Sequence, residues 1–173
     1  LHKTVQIHIG NALRLDWLEV CPPVSDEVAV EDSVRFETYI CGNPPYAGLS
    51  SQSDSQKDDL AHLFQDVSNY WKSYDYVAGW VFKAASLARS TSAKFAFVTT
   101  NSIFQGQQVS MLWPVILRDD LCIEFAYESF KWANLAAAGV LLSLSLCVPP
   151  QCHDHERRRL QNVGGGCSSC GSR

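Results

Sequence analysis

Asn43-Pro44-Pro45-Tyr46 follows directly on the strand-like run from Arg35 to Cys41. That order sets an amide, a stiffened backbone carbonyl and an aromatic ring at the end of a strand, where open α/β sheets bind their ligands. The chemistry these groups suit is methylation of a planar amine. Such an amine is a poor nucleophile because its lone pair is delocalised into the ring. Two hydrogen-bond acceptors for its two hydrogens favour a pyramidal nitrogen aimed at an electrophilic methyl group. The Asn43 side-chain oxygen offers one acceptor. The carbonyl of Pro44 offers the other, held in place because successive prolines fix φ. Tyr46 supplies a flat face, and stacking of a base on an aromatic is worth about 1–3 kcal/mol. Catalysis of this kind is orientation and electrostatics, with no covalent enzyme intermediate. Asn and Pro are also the ordinary residues of turns, so the tetrad alone leaves a turn and a site both open.

The flanking elements must carry the tetrad to a strand end. Ile7 to Asp16 reads as a short strand running into a polar turn, and Pro22 to Asp32 as a surface connection. Phe36, Tyr39 and Ile40 predict a buried strand, and Ser50 to Asp59, polar with no apolar period, predicts a loop. Apolar residues at helical spacing predict helices over Leu60 to Tyr70 and Asp75 to Ala88. In the second of these, Val77, Trp80, Val81, Ala84, Ala85 and Ala88 share one face. Lys94 to Thr100 is aromatic and β-branched, hence a strand. Gln107 to Leu117 predicts a helix capped or kinked by Pro114, and Leu121 to Ala126 and Leu141 to Val148 predict strands. The alternation of strand and helix argues for a doubly wound α/β sheet.

Four blocks in order carry a family likeness. They are Gly10 to Trp17, Cys41 to Tyr46, Phe97 to Ile103 with Gln105 to Val109, and Phe125-Ala126 with Ser129 to Asn134. Over roughly residues 4 to 140 the chain resembles the methylase domain of DNA adenine-N6 methyltransferases, in the MmeI-like branch of restriction-modification systems. The resemblance implies a Rossmann-like class I S-adenosylmethionine-dependent methyltransferase fold, incomplete at its N-terminal side. Asn43, Pro44, Pro45 and Tyr46 would be the catalytic tetrad. Asn11, Ala12 and Asn43 would touch S-adenosylmethionine, although many relatives carry Asp where Asn11 stands. Phe130 would stack on the far face of a flipped adenine opposite Tyr46; its alternative is an ordinary core or rim aromatic. Asp16 and Trp17 would orient the turn. Asn101 and Ser102 either line the pocket or cap the next helix.

The implied partner is double-stranded DNA with the target adenine flipped out, a step that costs several kcal/mol of unstacking. A target-recognition domain and a nuclease, fused or associated, would complete the system. The Gly-rich loop that grips the methionine end of the cofactor has no counterpart before residue 11, so the isolated segment is expected to bind cofactor weakly or not at all. Two alternatives stand beside DNA methylation. One is transfer to a protein glutamine or to ribosomal RNA, by enzymes with the same tetrad. The other is a non-catalytic remnant with a zinc-binding tail.

Composition frames these readings. The 173 residues, 46% hydrophobic, suit one domain. Residues 1–148 read as a partial catalytic domain, and 149–173 as an irregular tail. In the tail, Cys147, Cys152, Cys167 and Cys170 suggest zinc ligands, though the first pair is loosely spaced. Translation out of frame after about Val140 explains the same composition and is the favoured reading. Seven Cys at scattered spacing is no disulfide framework, and Cys21, Cys41 and Cys122 are expected as buried thiols. No apolar run reaches the roughly 18–20 residues of a membrane span, and the expected location is the cytoplasm. A net charge of −4 does not favour DNA binding, because phosphate contacts supply much of the affinity.

Overall fold

The computed structural model describes residues 6–22, 37–91, 93–119, 121–130 and 139–146. Among the described residues four strands form one mixed sheet: β1 (Tyr39–Gly42), β2 (Lys94–Thr100), β3 (Leu121–Phe130) and β4 (Gly139–Leu146), in the spatial order β1-β2-β4-β3. β1 and β2 run parallel, with Tyr39 opposite Lys94 and Gly42 opposite Phe97. β4 is antiparallel to both β2 and β3. It follows that β1, β2 and β3 all point the same way and finish at one edge of the sheet.

The helices are α1 (Trp17–Val20), α2 (Asp54–Phe64), α3 (Ala78–Ser90) and α4 (Gln107–Ile116). β2 alternates buried and half-buried residues, with Phe95, Phe97 and Thr99 turned into the core. α3 is the central helix. Val77, Val81, Ala84, Ala85 and Ala88 of the anticipated face are fully buried, while Trp80 is half-buried with its ring edge-on to Tyr76. Phe64 of α2 packs against Tyr74 and Phe82, and Leu112, Trp113 and Ile116 of α4 complete the core. Pro114 sits inside α4 on its exposed side, and the helix continues through it. Arg89 donates to the carbonyls of Val115 and Ile116 and so satisfies the C-terminal end of α4.

Several expectations need correction. Residues 6–9 are not a strand: Ile7 and Ile9 are 83% and 96% exposed, and no described strand pairs with them. Ser50 to Asp59 is not all loop, because α2 begins at Asp54. Ser53 accepts from the Gln56 backbone N–H while the Gln56 side chain accepts from the Ser53 backbone N–H, a capping box that starts a helix without apolar periodicity. The first helix of the pair therefore ends at Phe64, not at Tyr70. Cys21 and Cys41 are exposed and Cys122 is half-buried, so none of the three is a core thiol. Cys21 lies just past the single turn of α1, and Cys41 lies on the open face of β1. Among the described residues no helix is long and apolar enough to cross a membrane.

Candidate active site

The sheet topology brings three separate sequence blocks to one edge. Asn43 follows the last residue of β1, Asn101 follows the last residue of β2, and Phe130 ends β3 opposite Gly139. Because β4 lies between β2 and β3, β1 and β3 are three strand spacings apart, about 14 Å at the usual inter-strand distance. Only the backbone of Phe130 is described, and it lies in the strand.

Within the tetrad, Pro44 is buried while Asn43 and Pro45 are exposed, and Tyr46 is 41% exposed. Burial of Pro44 anchors the loop and leaves its neighbours facing solvent. The Tyr46 hydroxyl donates to Asn43 Oδ1. Tyr46 therefore covers the acceptor that an incoming amine needs, and a substrate must take that place.

A second segment, the turn over residues 10–16, is fastened beside α2 and α3. Asn11 accepts from the Leu13 backbone N–H at 3.0 Å through Oδ1 and donates to Asp59 Oδ2 at 2.8 Å through Nδ2. Trp17 Nε1 donates to the carbonyl of Ala12 at 2.8 Å, and Asp16 caps α1 by accepting from the Leu18 N–H. Asp16 and Trp17 thus fix the turn, as anticipated. Lys83 of α3 donates to the carbonyls of Leu13 and Leu15, with its ammonium 5.6 Å from the Trp17 ring centre. Burial lowers the Lys83 pKa, partly opposed by the nearby Asp16 charge.

Asp59 is the hub of this arrangement and was not singled out from the sequence. It is 5% exposed, and it accepts from Asn11, from Arg14 Nε at 2.6 Å and from the Tyr76 hydroxyl at 2.8 Å. Burial pushes its pKa up, but hydrogen bonds from Arg14, Asn11 and Tyr76 outweigh it, and the net shift is downward. Tyr76 moves the other way, raised by burial and by its bond to the Asp59 carboxylate. Its backbone N–H also donates to the carbonyl of Ala47, the residue after the tetrad, at 2.8 Å. One residue therefore ties the tetrad loop to the carboxylate that holds the 10–16 turn. The signal available in the sequence was a carboxylate at position 59, one residue before Leu60 on a helix face that otherwise buries Leu60 and Phe64.

Asn101 to Phe104 forms a 3-10 turn fixed by Trp113, whose indole donates to the Ile103 carbonyl and whose ring stacks on Phe104 at 4.9 Å. The Ser102 hydroxyl bonds Thr100 Oγ1 at 2.8 Å. Neither Asn101 nor Ser102 caps α4, which starts from Gly106 at φ 55° with no side-chain cap. Cys147, Cys152, Cys167 and Cys170 lie outside the described residues. Among the described residues no three His, Cys, Asp or Glu side chains are placed to hold a metal ion.

Residues 1–155 match the family model described as MmeI, DNA-methyltransferase domain. The chain belongs to the MmeI-type DNA-methyltransferase family. It is 43% identical over 136 residues to DNA methyltransferase A of Bacillus subtilis (strain 168), an alignment covering 79% of this chain and 14% of that protein. The solved structure of the Type IIL restriction-modification enzyme MmeI in complex with DNA superposes with a TM-score of 0.66 at 36% identity, over 80% of this chain and 18% of that one. This MmeI-type segment thus spans under a fifth of either relative's length.

Proposed function

We propose that this MmeI-type segment transfers a methyl group from S-adenosylmethionine to N6 of a flipped adenine in double-stranded DNA, within a restriction-modification enzyme. The observation that carries the reading is the tetrad at the C-terminal end of β1, with a buried Pro44 fixing the loop and Asn43 and Tyr46 exposed on either side of it, the Tyr46 hydroxyl resting on Asn43 Oδ1. The sheet is taken as the later half of a Rossmann-like class I methyltransferase core, with β4 as its reversed strand. Such a role belongs in the cytoplasm, and it calls for a target-recognition domain and a nuclease on the same polypeptide or beside it.

The residues present accommodate the cofactor. Asn11 is exposed, and its amide keeps one N–H and one oxygen lone pair beyond its two internal bonds, so it can still meet a ligand. Together with Ala12 and Asn43 it would border S-adenosylmethionine, which supplies an electrophilic methyl group. On the substrate side, Asn43 Oδ1 and the Pro44 carbonyl accept the two amine hydrogens and localise the nitrogen lone pair. With the methyl group supplied by the cofactor, Asn43 Oδ1 would hold the amine proton that becomes surplus until it passes to water. Tyr46 releases Asn43 Oδ1 and stacks on the base. Phe130, at the same sheet edge, closes the other side of the base.

The test is labelled methyl transfer to duplex DNA, with nucleoside analysis for N6-methyladenine, in a full-length MmeI-type enzyme carrying residues 1–155 of this chain. Asn43→Ala is expected to abolish transfer while circular dichroism and the melting temperature stay unchanged. Unchanged turnover in that variant would sink the mechanism. Label recovered in ribosomal RNA or in a glutamine side chain instead of DNA would move the same chemistry to another acceptor.

A further inference from the structure

A surface groove of about 210 Å³ lies beside the tetrad loop, lined by Leu49, Gln52, Lys57, Leu60, Trp71 and Lys72. We propose that this groove seats the DNA strand next to the target base. Lys57 and Lys72 would take backbone phosphates, while Leu49 and Trp71 take the apolar face of an adjoining sugar or unstacked base. The proposal rests on the methylation reading for its choice of partner.

Position is the first argument. Leu49 comes three residues after Tyr46 and is half exposed. The floor residue Gln52 is buried, and its Nε2 donates to the carbonyls of Ala47 at 3.2 Å and Tyr74 at 2.8 Å. Groove and tetrad loop are therefore braced by the same side chain, and a strand entering one passes the other.

Charge is the second. Among the described residues no carboxylate lies within ion-pair distance of Lys72, whose ammonium rests 5.5 Å from the centre of the neighbouring Trp71 ring. Trp71 is half-buried against the core, and a lysine resting on its ring without a carboxylate partner is readily drawn off by a phosphate. Among the described residues Lys57 is paired only with Asp54 on its own helix turn, at 3.3 Å with both groups open to solvent, an exchangeable contact. Asp58 and Asp59 on the same helix are both held by Arg14, so they do not compete for these lysines.

Size is the third. The groove is smaller than the roughly 300–1,000 Å³ typical of small-molecule sites. Two lysines lining a groove of apolar and aromatic walls bring together the elements with which proteins hold single-stranded nucleic acid: positive charge and a stacking surface.

The experiment uses the full chain, without cofactor, and a fluorescein-labelled duplex with one unpaired central adenine, read by anisotropy across a salt series. Lys72→Ala and Lys57→Ala are each expected to weaken binding several-fold and to lower the log–log salt slope by about one, whatever the flanking sequence. The slope change should recur in Lys72→Gln, with melting temperatures as in the unaltered chain. Lys94→Ala, in β2 and paired with Glu124, should leave the slope alone. An unchanged slope in both Lys72 variants, no binding of the duplex at low salt, or equally tight binding of the matching RNA duplex would each overturn the assignment. Methyl transfer by Asn43→Ala is read in parallel in the full-length enzyme. Loss of transfer in that variant with no slope change at Lys72 would overturn the groove and leave methylation standing. A slope change at Lys72 together with unimpaired transfer by Asn43→Ala would do the reverse.

Discussion

Two side chains of the tetrad hold each other in the free chain, and this makes Tyr46 a more informative probe than its stacking role alone suggests. The ring and the hydroxyl do different things: the ring offers a face for the base, while the hydroxyl occupies Asn43 Oδ1. Tyr46→Phe keeps the face and frees the acceptor, so transfer by the full-length enzyme should be retained within a few-fold. Tyr46→Ala removes the face, and at about 1–3 kcal/mol for a stacked base the expected loss in kcat/KM is roughly 5- to 150-fold. Steady-state kinetics on duplex DNA checks both; an equal loss in the two variants would mean the hydroxyl, not the ring, is what the reaction uses. The same residue shows how far a sequence reaches. The identity of the tetrad and its place after a strand were legible in Asn43-Pro44-Pro45-Tyr46, whereas the internal hydrogen bond depends on loop geometry that residue types alone do not set.

Elements were legible where residue type or apolar spacing decided them. The aromatic and β-branched residues of Lys94–Thr100 predicted β2 with its ends, and the small apolar stripe of α3 predicted its buried face. α2 was missed over its first turns because it earns little from apolar burial and starts on polar capping by Ser53 and Gln56. The segment at Ile7 was misread because alternation alone does not supply a pairing partner. What fastens that N-terminal segment is instead the seat of Leu13 on α3. Leu13 is fully buried, and a Cβ added at Gly79 would come within 2.9 Å of Leu13 Cδ1 and 3.3 Å of Leu63 Cδ1. Gly79→Ala should gain about 1 kcal/mol in helix propensity. The overpacking it causes costs about 1–3 kcal/mol, so the net change should be destabilising by up to about 2 kcal/mol. Urea unfolding measures it, and a more stable Gly79→Ala variant would show that the 10–16 turn is free to shift away from α3.

At the scale of the whole molecule, Asp59 joins parts that are distant in sequence. Asn11 and Arg14 belong to the N-terminal turn, Asp59 to α2, and Tyr76 to the approach to α3, and Tyr76 reaches the tetrad loop through Ala47. Asp59 was hidden in a stretch that reads as loop, so this connection was not legible beforehand. Its titration gives stability a predictable pH dependence. The folded-state pKa of Asp59 lies below its ordinary value, because the donors from Arg14, Asn11 and Tyr76 outweigh the effect of burial. Its contribution is therefore fully present above the unfolded value of about 3.9 and is lost as pH falls through the lower folded value. Tyr76 has a raised pKa, so its contribution is present below about 10 and fades as pH rises beyond that. Between those limits the node should be insensitive to pH. Asp59→Asn keeps the shape but removes the charge, and the expected loss at neutral pH is about 1.5–3 kcal/mol, the scale of hydrogen bonds to a charged group. Denaturant midpoints from pH 7 down to pH 3 should then fall less steeply in Asp59→Asn than in the unaltered chain. Parallel curves would mean that the Asp59 pKa does not change on folding, and that the turn and the tetrad loop are held together by packing around Leu13 and Pro44.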